Sequence, residues 1–181
     1  MTSLDSAAAV PTPARSADSA NPTSWQDQFA FLADLIPQLV WITDPTGFHT
    51  YFNQRWVDFT GYTLEDSIGP DMWNNLLHPD DQERARQVWG HSLATGDDYN
   101  IEYRFKSRQG GYRWFLGQAL PRRDASGQIV AWFGTCTDIE EQRKLREQLE
   151  AAYYDLEAKI TFRTLELEHQ VQELKRQLGQ A

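Results

Sequence analysis

The sequence predicts an α+β domain: a five-stranded antiparallel sheet with helices on one face, followed by a long carboxy-terminal helix. Three observations carry this. Five short runs rich in β-branched and aromatic residues are joined, all but once, by turn-sized links, which is the pattern of antiparallel pairing. One helix-patterned stretch separates the second run from the third, so helices pack on the sheet from one side. Residues 139–181 then lack proline, have glycine only at Gly179, and are rich in Glu, Gln, Leu, Lys and Arg, which is long-helix composition.

The elements follow in order. Residues 1–24 are mainly Ala, Ser, Thr and Pro, too poor in large apolar groups to offset their ordering entropy, and are expected to be disordered. WQDQFAFLADLIP (25–37) predicts a short amphipathic helix that Pro37 ends. QLVWIT and FHTYFN predict a hairpin around DPTG (44–47), where Pro presets φ and Gly accepts φ > 0. Gln54–Trp73 predicts short helices. HPDDQERARQVWGHSLATG predicts a longer one, with an Asp80–Glu83 capping box and an apolar face of Ala85, Val88, Trp89 and Leu93. Asn100–Ser107 and Tyr112–Pro121 flank the turn RQGG, and Ile129–Thr137 follows DASG (124–127). The domain is thus expected over 25–138, between a tail (1–24) and a helix (139–181).

Bulk numbers narrow the function. The formal charge of −9 argues against non-specific binding to nucleic acid or an anionic membrane surface. No apolar run approaches the ~20 residues of a membrane span. The amino terminus lacks the basic and apolar regions of a secretory signal. A lone cysteine, Cys136, rules out an internal disulfide and fits a reducing, cytoplasmic setting. Seven Trp, seven Tyr and nine Phe, almost all before residue 135, are enough for a real core.

The motifs in this order resemble a PAS domain: Asn53 eight residues before Gly61-Tyr62, HPDD (78–81), EYRF (102–105), YRWF (112–115), Pro121 and GTCTDI (134–139). The likeness covers about Phe29–Glu141 and points to the PAS-fold subtype of bacterial sensor kinases and cyclic-di-GMP enzymes. It implies a five-stranded sheet and helices enclosing a pocket, in a module that senses ligands, binds cofactors or dimerises. Strand alternation places Trp132, Gly134 and Cys136 on one face and Phe133 and Thr135 on the other. The resemblance turns Cys136 toward the pocket, with Trp41, Thr43, Tyr103, Phe105, Phe115 and Gly117, and sets Trp56 and Phe59 above them. These aromatics either grip a planar ligand or fill the space as core. Flavin photoreceptors of the family carry an adduct-forming cysteine, whereas the equivalent GPDMWNNLL (69–77) has none. Haem-binding relatives place an axial histidine where this chain reads RARQVW. Neither cofactor is supported, and the expected cofactor is none. Cys136 is read either as a thiol sensor or as an inert small hydrophobe. Outside the pocket, Trp114, Leu116 and Phe133 form a surface patch needing cover from the first helix or a second subunit. Arg104 is expected to stack on Trp114.

No phosphate loop, nucleophile elbow or metal-ligand cluster is found, and the chain is read as a non-enzyme with no metal site. His78 belongs to a turn; His49, His91 and His169 are scattered, without ligand spacing. His169 lacks the surroundings of a kinase phosphoacceptor.

The long helix carries its own pattern. Leu145, Leu149, Ala152 and Leu156 alternate by four and three, and Ile160, Thr164, Leu167, Val171, Leu174 and Leu178 resume that alternation after a phase slip. Over roughly 60 Å of helix, so narrow a stripe is expected to meet a second copy in a parallel coiled coil. Glu140–Lys144 and Asp155–Lys159 stand at helix-supporting spacing.

Strand and helix are fused at Asp138-Ile139. Asp138 is expected to cap the helix with Glu141 reciprocating; by resemblance this is the Asp-Ile-Thr junction that ends many PAS domains, with Glu140 replacing the threonine. The whole reads as a cytoplasmic homodimeric sensor of two-component or related signalling. It would relay a pocket or interface change, with or without a small-molecule ligand, to a histidine kinase or diguanylate cyclase output domain not present in this chain. The alternatives are a ligand-free dimerisation scaffold or an adaptor. The chain is expected to be either a fragment or a stand-alone protein.

Overall fold

The computed structural model describes residues 24–67 and 75–179. The tail expected over 1–24, except Ser24, and the part of GPDMWNNLL before Asn75 lie outside the described residues. Helix α1 spans Trp25–Leu35 and opens on a reciprocal capping box between Ser24 and Asp27. Strands β1 (Leu39–Thr43) and β2 (His49–Phe52) form the first hairpin. Helices α2 (Gln54–Thr60) and α3 (Leu64–Ser67) precede the 17-residue α4 (Pro79–Thr95). Then come β3 (Tyr99–Lys106), β4 (Tyr112–Arg123), β5 (Ile129–Asp138) and α5, 40 residues from Glu140 to Gly179. The five strands form one antiparallel sheet in the order β2-β1-β5-β4-β3, so the last strand in sequence lies in the middle.

Two turns share one construction. In DPTG, Asp44 Oδ1 accepts from the amides of Thr46 (2.8 Å) and Phe48 (3.0 Å), and Gly47 adopts φ +90°. In DASG, Asp124 Oδ1 accepts from Ser126 (2.9 Å) and Gln128 (3.0 Å), and Gly127 adopts φ +85°. An Asx carboxylate organises each turn and a glycine closes it in the left-handed region.

The start of α4 corrects the expected capping box. Pro79 occupies the first helical turn, so the cap falls on His78, whose Nδ1 accepts from the Asp80 amide at 3.3 Å. Glu83 instead pairs with Arg86 (3.2 Å) and Gln87 (2.9 Å).

The inner face of the sheet, covered by α2 and α4, holds the core: Trp41, Phe52, Trp56, Tyr103, Phe105, Phe115, Trp132 and Cys136 are all at most 2 % exposed. Helix α1 does not join that layer. With Trp25, Gln26 and Phe29 it meets the outward side chains Ile42, Tyr51 and Phe133, leaving a groove of about 370 Å³. Phe29 rests on Tyr51 at 5.5 Å between ring centroids. No helix among the described residues is long and apolar enough to cross a membrane.

Candidate functional site

The sheet's inner face brings the pocket candidates together, and aromatic contacts fill the space between them. Trp89 from α4 stands between Trp41 (5.5 Å), Tyr99 (5.1 Å) and Trp132 (5.3 Å), all edge-on. Trp56 from α2 stacks on Phe52 at 4.3 Å and meets Phe105 edge-on at 5.7 Å. Phe59, half-buried, caps Phe115 at 4.9 Å. Both glycines exist to admit a ring. A Cβ on Gly134 would stand 2.2 Å from Trp41 Cζ2, and one on Gly117 would stand 2.4 Å from Tyr103 Oη. Thr43 is fully buried beside them. The indole N–H of Trp132 is buried with no hydrogen-bond partner among the described residues.

Cys136 lies at the centre, fully buried, with Tyr103 Oη 3.1 Å from its sulfur. Burial pushes its thiol up to about 12, against a smaller lowering by Tyr103 and Trp41. Burial also raises the Tyr103 hydroxyl well above its ordinary value, as does the neighbouring thiol. A thiol this far from ionising is a poor nucleophile. Iodoacetamide at neutral pH is therefore expected to leave Cys136 unlabelled in the native protein and to label it readily in urea, as mass spectrometry would read. Rapid native labelling would restore the thiol-sensor reading.

Asn53 is a residue whose weight the motif alone does not reveal. Buried and capping α2, its Oδ1 accepts from the amides of Val40 (2.9 Å) and Trp56 (3.3 Å). Its Nδ2 donates to the carbonyls of Ala33 (2.8 Å) and Gln38 (3.0 Å). One side chain thereby ties α1, β1 and α2 together.

At the strand-to-helix junction, Asp138 Oδ1 accepts from the Glu140 amide at 3.0 Å and Oδ2 from Arg113 Nε at 2.7 Å. Glu141 does not complete a capping box. Helix α5 begins at Glu140, and Ile139 supplies the first helical carbonyl, to Arg143 (2.9 Å), so the three-residue offset from Asp138 falls one position short. Glu141 pairs with Lys144 at 3.3 Å. Glu140 turns back to the sheet and accepts from the Trp114 amide at 3.1 Å, while the Trp114 carbonyl accepts from the Ile139 amide at 2.9 Å. Strand β4 therefore grips the helix start on both sides of one residue. Arg143 lies 3.9 Å over the Trp114 ring, with Arg104 at 5.1 Å. The outward patch is thus partly covered: α1 lies beside Phe133, which stays 36 % exposed, and the first turn of α5 shelters Trp114. Beyond that turn α5 stands away from the domain, and none of its residues is buried. Leu145, Leu149, Leu156, Ile160, Leu167, Val171, Leu174 and Leu178 are all exposed.

The described residues include no cluster of His, Cys, Asp and Glu able to hold a metal ion.

Comparison with known proteins follows this geometry. The family described as PAS fold matches residues 49–136. An uncharacterised protein of Sinorhizobium fredii, y4lL, is 38 % identical over 118 residues, 65 % of this chain and 14 % of that protein. The peroxide stress-activated histidine kinase mak1 of Schizosaccharomyces pombe is 30 % identical over 120 residues, 66 % of this chain and 7 % of the kinase. This chain thus spans a small part of either relative. Among solved structures, the amino-terminal domain of a diguanylate cyclase with a PAS/PAC sensor from Marinobacter aquaeolei superposes with a TM-score of 0.54 at 24 % identity. That match covers 59 % of this chain and 98 % of the domain.

Proposed function

Residues 49–136 are a PAS domain, and from that premise we propose that the chain is a dimeric signal-transmission module that hands a change in its sheet to an output domain through α5. The observation that carries the reading is the contrast along that helix. Its first turn is fixed to β4 and β5 by Asp138, Ile139, Glu140 and Arg143. The rest presents a leucine seam to water, with Leu149 71 % and Leu178 79 % exposed. Each such side chain gains about 1.5–3 kcal/mol on full burial, and the heptad phase of the seam is met by an identical helix in parallel register. A flexible loop would absorb a strand movement, whereas a direct, hydrogen-bonded junction passes it on. The histidine kinase and diguanylate cyclase among the relatives suggest the class of output. Their names also support a setting in two-component or cyclic-di-GMP signalling.

Light scattering of the full chain should give twice the monomer mass at micromolar concentration, and a chain ending at Glu141 should give the monomer. A monomeric full chain would sink the coiled-coil dimer. The filled interior favours a second reading, a ligand-free dimerisation scaffold or adaptor. Native mass spectrometry separates the two: a co-purifying small molecule supports a sensor, and a bare chain mass together with no thermal shift across a metabolite panel supports the scaffold.

A further inference from the structure

We propose that the amino-terminal turns of α4 are coupled to α5 through the side chains of β3 and β4, with Asp81 as a positioning residue for the signalling helix. The inference deepens the relay reading above and rests on it, since it names a second route by which the domain addresses α5.

Two threads run from α4 to Arg143, and neither uses the β5–α5 peptide link. In the first, Asp81, 5 % exposed, accepts from the Arg104 amide (3.0 Å), Nε (2.8 Å) and Nη2 (3.0 Å), fixing both backbone and guanidinium. Arg104 faces Trp114 across the β3–β4 register and lies over its ring, where Arg143 also lies. In the second, Arg84 Nη2 donates to the Glu102 carbonyl at 2.6 Å, and the Glu102 carboxylate accepts from Arg143 Nη1 at 2.5 Å. Both threads start in the first turns of α4, the helix that also lines the interior through Trp89, so a shift of core packing reaches Arg143 independently of β5.

The contact is poised rather than locked. Arg143 Nε is buried with no hydrogen-bond partner among the described residues. A desolvated, unpaired donor carries a cost that undocking would remove. Stacking on Trp114 and the Glu102 pair hold the guanidinium against that cost, so modest changes at Arg104 or Glu102 tip the balance between docked and released states of the first turn.

Hydrogen exchange on the full chain tests this at the first helically bonded amides of α5, Arg143 and Lys144. Asp81→Asn should speed their exchange roughly fivefold or more while the amides of β1 and β5 keep their protection. The same substitution should have a much smaller effect in a Trp114→Ala background, where Asp81 reaches Arg143 only through its 3.7 Å pair with Arg84 and the second thread. Unchanged exchange at Arg143 and Lys144, or an undiminished effect without Trp114, would overturn the coupling. If Asp81→Asn does not fold, Arg143→Gln decides from the other end. Linkage is reciprocal, so this substitution should loosen the Arg104 amide, and an unaltered Arg104 amide would overturn the proposal. All these contacts lie within one chain, so a monomeric protein in light scattering would fail the dimer reading and leave this result standing.

Discussion

Asn53→Ala is expected to lower the stability of the domain by about 3–5 kcal/mol, among the largest effects available to a single polar substitution. The side chain is 1 % exposed and makes four hydrogen bonds to backbone groups of four different residues. Truncation leaves the Val40 amide and the Ala33 and Gln38 carbonyls short of a partner at a point where α1, β1 and α2 converge. Each buried group left unpaired costs about 1–3 kcal/mol, and water reaches the site only by opening the helix–strand junction. Asn53→Asp separates the parts of this account. It keeps the acceptor for Val40 and Trp56 but sets a carboxylate oxygen against two carbonyls, so at neutral pH it should be as damaging as alanine. Repulsion from those carbonyls raises the folded-state pKa of the new acid. Its protonated form donates once, so the variant regains stability as the pH falls through that raised value and loses it again as the pH rises. Urea denaturation gives the readout, with a lower midpoint at unchanged slope. A wild-type midpoint for Asn53→Ala would mean that the four bonds are replaced by others.

How far such residues are legible depends on how many segments must meet for them to act. The hairpins follow from local chemistry alone: Asp44 and Gly47, or Asp124 and Gly127, act within four residues of one another, and strand alternation then sorts Trp132 and Cys136 from Phe133. The long helix and its leucine seam are likewise local patterns. The role of Asn53 is not, because its partners Ala33 and Gln38 are distant in sequence and are placed by the fold. The Asp-x-x-Glu pattern at Asp80 points to a cap too late in the chain, because Pro79 takes the first helical position and passes the cap to His78. Amphipathic spacing in α1 shows that it has an apolar side, and the outward patch around Phe133 calls for cover from this helix or a second subunit; its seat on Ile42 and Tyr51 follows only from the register of β1 with β2 and β5. Arg143 over Trp114 has no sequence signal at all. In one dimension it is another charge on a charged helix, and only the turn of α5 onto β4 makes it a lid.

Gly134→Ala is the sharper test of what the interior can hold. It should cost about 3 kcal/mol or more, the upper end of overpacking effects, because a methyl at this site falls 2.2 Å from Trp41 Cζ2 and 2.3 Å from Cε2. The ring has little room to yield. It is 1 % exposed, Trp89 stands edge-on against it at 5.5 Å, and His49 lies at 5.4 Å on another side. The strand has little room either, since β5 is paired on both edges, to β1 and to β4. The clashing atoms belong to the six-membered ring of the indole, so Trp41→Phe removes them. The double variant Gly134→Ala/Trp41→Phe should therefore be markedly less unstable than the sum of the single changes, a non-additivity that a thermodynamic cycle measures directly. The cycle also bears on function. If the pair is strongly coupled, the centre of the domain is a jigsaw of rings around Cys136, and a stimulus must act by shifting those rings and the elements that carry them. If Gly134→Ala is mild and additive, the core has slack to move Trp41 aside, and the same slack would admit a planar ligand between Trp41 and Tyr103.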